Sequence, residues 1–151
     1  MIDVNLLNDM SNRKSFSSGQ VIIQDGDAEC SDLYIILKGS VGIYKNFNEP
    51  EEIRIAVLPV GSFFGEMALF LNRSRTATAV AAEDTILLTI DRDNAYVFFK
   101  NQPEATFLLI KSLCSRVEVL TSFFAKPKID NRDSLDIKTI QDDLPNEYKF
   151  C

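Results

Sequence analysis

Between Phe16 and Ile90 the apolar residues fall in short runs rich in β-branched side chains, separated by Gly, Asp, Asn and Pro. The runs Gln20–Ile23, Asp32–Leu37, Val41–Tyr44, Ile53–Leu58, Ala77–Ala81 and Thr85–Ile90 predict strands. Turn residues lie between them at Asp25-Gly26-Asp27, Gly39-Ser40, Asn46–Pro50, Pro59–Ser62 and Glu83-Asp84. Many short strands at this spacing predict a sandwich or barrel, most simply a jelly roll. Lys38-Gly39-Ser40 reads as a tight hairpin, with Gly adopting positive φ at low steric cost. The polar stretch Asn46–Glu52 reads as a loop of variable conformation.

The period changes on either side of this region. Leu6, Leu7 and Met10 at helical spacing predict a short helix over Asp3–Met10. Asp91-Arg92-Asp93 can cap a short helix running to Lys100, and Asn101 with Pro103 opens a longer one. In that longer helix Phe107, Ile110, Cys114, Val117 and Phe124 recur at three- and four-residue steps, as do Leu109, Leu113 and Leu120. So wide an apolar face can pack on the β region and still offer a surface to a second copy, a homodimer through Pro103–Phe124. Lys126-Pro127-Lys128 ends the helix, and the mostly polar residues that follow read as a linker or tail. The expected organisation is one domain over residues 1–125 and a tail over 126–151.

Composition narrows the function classes. Of 151 residues, 46% are apolar and 25% charged, a globular profile of one-domain size. The net charge of -6 disfavours direct binding to DNA, which rests on neutralising phosphates with cations. The chain has no histidine, the commonest general base and metal ligand, so an enzyme and a metal site are both disfavoured. Cys30, Cys114 and Cys151 form no C-x-x-C pair, and an odd, scattered set fits a reducing cytoplasm. No apolar run reaches the length of a membrane span, and the first residues lack signal-peptide character.

Candidate chemistry is concentrated in Gly65–Ala81. A helix beginning near Met67 leaves the N–H groups of Met67, Ala68 and Leu69 without partners, and these attract an anion. Gly65 allows the turn and the close backbone approach. Arg75, nine positions after Glu66, offers a planar fork that matches two phosphate oxygens. Glu66 would repel a phosphate and is better used accepting from a neutral hydroxyl, such as a ribose 2′-OH. The plainer alternative is a Glu66–Arg75 salt bridge that only holds the loop. Arg73 reads as a solvated neighbour, Thr76 and Thr78 suit strand alternation, and Phe63, Phe64, Leu69 and Phe70 read as core.

With these residues in view, Gly65–Ala81 resembles the phosphate-binding cassette of cyclic-nucleotide-binding domains, the family of kinase regulatory regions, channels and catabolite-activator-type regulators. Gly19-Gln20-Val21-Ile22, Gly26, Leu33-Tyr34-Ile35-Ile36, Gly39-Ser40-Val41 and Gly61-Ser62-Phe63-Phe64 agree with its pattern, and the resemblance covers about Phe16–Phe124. It implies a mainly β fold with flanking helices: a double-stranded β-helix (jelly-roll) barrel, a short N-terminal helix, and C-terminal hinge and lid helices. It also implies that Glu66 binds the ribose 2′-OH and Arg75 the cyclic phosphate of cAMP or cGMP. Gly65, Met67 and Ala68 would line the ligand with backbone atoms. Thr76 is where the family often discriminates bases, and its hydroxyl keeps cGMP open. Arg116, Thr121 and Phe123 are candidates for the cap over the base. No cofactor is implied beyond the nucleotide itself. The rival readings are a jelly-roll interaction module that binds no ligand and, disfavoured by the lack of histidine, a cupin-like enzyme.

Overall fold

The structure, a computed structural model, describes residues 12–125. The expected helix over Asp3–Met10 and the tail from Lys126 lie outside these residues. In chain order the elements are β1 (Arg13–Phe16), β2 (Val21–Ile23), β3 (Leu33–Lys38), β4 (Val41–Lys45), β5 (Ile53–Leu58) and β6 (Phe63–Phe64). Then come α1 (Glu66–Leu71), β7 (Thr78–Ala81), β8 (Thr85–Ile90), α2 (Arg92–Asn101) and α3 (Pro103–Ala125). Packing divides the chain between Arg116 and Val117, within α3, and the site described below lies wholly before that division.

The strands form two antiparallel sheets of four, ordered β1-β8-β3-β6 and β2-β7-β4-β5. Leu33 and Ile35 of β3 join Leu88, Ile90, Phe98 and Leu109 in one core cluster, which also includes residues of α1, α2 and α3. Their neighbours Tyr34 and Ile36 join Val41, Phe64, Ala79 and Leu87 in the other. Burial on both faces explains why Leu33-Tyr34-Ile35-Ile36 is an unbroken apolar run instead of an alternation. The helices thus cover one face of the first sheet, while the second sheet packs toward the other.

Two expectations need correction. Lys38-Gly39-Ser40 is not a hairpin: β3 pairs with β6 and β8, whereas β4 pairs with β5 and β7. The turn instead carries the chain from one sheet to the other. Gly39 does have positive φ (83°), and a Cβ there would stand 2.6 Å from Asp84 O, so close packing against the start of β8 sets this corner. Second, Phe70 is exposed and not core, although Phe63, Phe64 and Leu69 are buried as expected. In α3 the packing stripe is Ala105 and Leu109, with Leu108 and Leu113 partly buried. Phe107, Ile110, Val117, Leu120 and Phe124 are exposed.

Helix boundaries follow their caps. Asp91 accepts a hydrogen bond from the Asn94 N–H and starts α2. Asn94 Nδ2 also donates to both oxygens of Asp91, and this side-chain contact, ahead of the backbone one, holds the Asp91 carboxyl below its ordinary pKa. Asn72, in the left-handed region at φ 51°, ends α1.

Candidate functional site

The centre of the site is a cation sunk in the protein. Arg75 has only 4% of its surface exposed. Its backbone is fixed first: Arg75 N–H donates to Asp27 O at 2.7 Å, and Gly26 N–H donates to Arg75 O at 2.8 Å. The turn between β2 and β3 is therefore laced to the segment entering β7. The guanidinium then meets three groups. Nη1 donates to Gly65 O at 3.1 Å, Nη2 donates to Cys30 Sγ at 3.6 Å, and the Tyr34 ring lies 5.8 Å from Cζ. A carbonyl, a thiol and an aromatic face orient the cation, and none carries a full negative charge.

Gly65 is required by that packing. Its φ is +83°, and a Cβ would stand 2.7 Å from Asp32 O and 2.8 Å from Arg75 Nη1. Tyr34 stacks on Phe64 with ring centroids 5.1 Å apart and planes 18° from parallel. Burial above all, with Cys30 next, pushes the Tyr34 phenol up from its ordinary pKa, so it stays neutral and supplies no charge to Arg75.

Glu66 opens α1 and is buried, yet it does not pair with Arg75, so the loop-holding salt bridge is absent. Its partner is Arg116 of α3, whose Nη1 donates to Glu66 Oε1 at 2.5 Å. Arg116 Nη2 also donates to Phe63 O at 3.0 Å. Arg116, a candidate for the cap over the base, is therefore found on the carboxylate. Thr121 Oγ1 donates within α3 to Val117 O, and Phe123 is exposed.

The remaining candidates sit around this pair. Ala68 is buried, whereas Met67 and Thr76 are exposed, with Thr76 Oγ1 3.8 Å from Met67 Sδ. Arg73 is exposed, as expected. Thr78 is buried within β7 and accepts from the Asp25 N–H at 3.1 Å. Arg92, in sequence only part of the helix-opening Asp91-Arg92-Asp93, donates to Ala68 O at 3.0 Å and to Asn72 Oδ1 at 2.6 Å, which ties the end of α1 to α2. Cys30 likewise had no motif around it. Tyr34 was visible only as one residue of a strand.

A separate cavity of about 610 Å³ lies among α1, α2 and α3, lined by Leu69, Phe70, Ala95, Phe99, Leu109 and Leu113 among others. Residues 65–68, Arg75 and Thr76 do not line it; Arg92, Tyr96 and Thr106 complete its mostly apolar wall. Among the described residues no group of three or more His, Cys, Asp or Glu is placed to hold a metal ion, and no helix is long and apolar enough to cross a membrane.

Two antiparallel sheets thus carry a buried guanidinium and, beside it in sequence, a carboxylate held by a separate arginine, a β domain with flanking helices. The cyclic nucleotide-binding domain family matches residues 13–111, and the chain belongs to that family. The chain is 39% identical over 113 residues to a cAMP-dependent protein kinase regulatory subunit of Candida albicans, a match that covers 73% of this chain and 23% of that protein. It is 31% identical over 137 residues to a cGMP-dependent protein kinase of Plasmodium berghei, covering 91% of this chain and 15% of that protein. The crystal structure of the Thermus thermophilus catabolite activator protein superposes with a TM-score of 0.64 at 29% identity, covering 74% of this chain and 52% of that one. The chain thus spans about a quarter or less of the two kinase proteins. Its homologues are regulatory nucleotide-binding domains.

Proposed function

We propose that the chain is a sensor domain that binds a cyclic nucleotide, cAMP ahead of cGMP, and passes the event on through α3. The observation that carries the reading is the burial of Arg75 without a carboxylate beside it. A buried charge left uncompensated costs several kcal/mol, on the order of the penalty for an isolated ion in a protein interior. A phosphate removes that cost, and it uses the N–H groups that Gly65 O and Cys30 Sγ leave over.

In this reading Arg75 binds the cyclic phosphate, while Gly65, Met67 and Ala68 border it with backbone atoms. Glu66 accepts the ribose 2′-OH on the oxygen that Arg116 does not use. Thr76 lies next to the base and can accept the guanine amino group, which keeps cGMP as the second ligand. The two sheets act as a jelly-roll barrel, α2 as hinge and α3 as lid. The ligand draws α1 inward and shifts α3 only as far as its differential affinity for the two arrangements permits. The relatives named for cAMP- and cGMP-dependent kinases support both nucleotides as ligands.

The same reading makes residues 1–125 the sensor and 126–151 a linker or tail. It makes the chain a non-catalytic, cytoplasmic component that does not contact DNA directly. Isothermal titration with cAMP and with cGMP tests it. Heat with either nucleotide that is lost in Arg75→Ala is the expected result, with a cost of about 2–5 kcal/mol in binding, as for truncating one partner of a buried charged contact. Binding unchanged by Arg75→Ala overturns it.

The exposed apolar side chains of α3 favour a second reading, an interaction module in which Pro103–Phe124 pairs with a second copy. Sedimentation with and without nucleotide separates the two: a dimer that forms without nucleotide, in protein that gives no titration heat, selects the module.

A further inference from the structure

We infer that Cys30 is a positioning residue of the anion site, its thiol setting the direction of the Arg75 fork; the inference rests on the reading of Arg75 as the phosphate-binding cation. Gly65 O holds only Nη1, and the Tyr34 face, 5.8 Å from Cζ, fixes no N–H direction, so these two leave the fork free to turn. The further contact, Nη2 to Cys30 Sγ at 3.6 Å, fixes the plane. The sulfur is itself held: the Tyr34 hydroxyl lies 3.9 Å away, and that ring is clamped against Phe64 in the core of the first sheet.

The choice of atom has a physical consequence. A carboxylate at this position would pair with Arg75 and cancel the charge a phosphate needs. A thiol is a weak acceptor, strong enough to orient an N–H group and too weak to compete with a dianionic or monoanionic oxygen. Cys30 thus turns the guanidinium toward its ligand while leaving its charge available. It is half-buried, with a second described cysteine, Cys114, exposed on α3 and making no such contact.

Titration of the wild type, Cys30→Ala and Cys30→Ser with cAMP and with cGMP tests the inference, alongside melting without nucleotide. Cys30→Ala is expected to weaken both nucleotides by the same factor, about five-fold, the size of one modest hydrogen bond. Cys30→Ser, which keeps an acceptor, is expected to restore affinity to within about two-fold of wild type. Equal loss for both nucleotides with melting unchanged identifies the phosphate end they share, whereas a general loosening of the fold would lower the melting temperature as well. Unchanged affinity in Cys30→Ala, a loss confined to one nucleotide, or a loss that Ser does not repair overturns the inference while leaving the sensor reading intact. A wild type that binds neither nucleotide overturns the sensor reading, and the inference falls with it.

Discussion

Arg116 joins α3 to the start of α1, donating to Glu66 Oε1 at 2.5 Å and to Phe63 O at 3.0 Å. One side chain therefore reads two neighbouring points: the carboxylate proposed for the ribose and the strand that leads into the Gly65 turn. Arg116 is partly exposed and Glu66 is not, so the cation can leave for solvent while the carboxylate cannot. Breaking a fully buried pair costs about 3–5 kcal/mol, but the exposure of Arg116 brings the figure for Arg116→Ala down to about 1–2 kcal/mol. Denaturant unfolding is expected to show that loss. Hydrogen exchange on the same variant is expected to show that nucleotide no longer changes protection in the α3 turns around Arg116, although it still binds. A ligand response in α3 equal to wild type would assign the coupling to other contacts.

Gly65→Ala tests how closely the Arg75 site is built. The added Cβ meets Asp32 O and Arg75 Nη1 below 3.0 Å, in a backbone conformation at φ +83° that L-residues avoid. Strain at such a position and the displaced guanidinium together should lower stability by at least about 2 kcal/mol. Nucleotide affinity is expected to fall as well, because Arg75 is the side chain that must move. A variant with wild-type melting and wild-type titration would mean that the turn relaxes at no cost.

These contacts also show which parts of the molecule were readable from residue order. Strands β4, β5, β7 and β8 stood out because β-branched runs end at Gly, Asp or Pro, and burial on both faces of β3 appeared as an uninterrupted apolar run. Strand β1 did not stand out, since Arg13-Lys14-Ser15 at a sheet edge carries charge and no alternation. Strand β6 is only Phe63–Phe64, too short to have a period. The hairpin at Gly39 was misread for a different reason: positive φ is a local property, whereas partner choice depends on β8 lying beside β3. At the site, Gly65, Glu66 and Arg75 share one short segment and could be read together. Cys30, Tyr34 and Arg116 reach them from 45, 41 and 41 positions away in sequence, as differences from Arg75 show, and no local pattern encodes such a meeting.

Thr76→Ala separates the bases. Thr76 is exposed beside Met67, and its hydroxyl is one contact that guanine can use and adenine cannot match in the same way. Loss of cGMP affinity by about ten-fold, the upper range for one hydrogen bond, with cAMP affinity held, is the expected outcome in competition binding. Equal effects on both nucleotides would remove Thr76 from base selection and return it to the strand-alternation role.

Asp91 gives a pH test of the scaffold that bears on α2 alone. Its carboxyl is held below the ordinary value of 3.8, by the Asn94 side chain first and the Asn94 backbone second. A depressed pKa in the folded state means that the ionised form is favoured by folding. The contribution is therefore full above about pH 4 and declines as pH falls through the ordinary value toward the depressed one. Asn caps a helix nearly as well as Asp but does not titrate. Asp91→Asn is thus expected to melt like wild type at neutral pH and to lose less stability than wild type as the pH falls below about 4. Parallel stability curves for the two proteins across that range would show that the cap carries no proton linkage, and that the Asn94 contacts hold α2 whatever the charge on their partner.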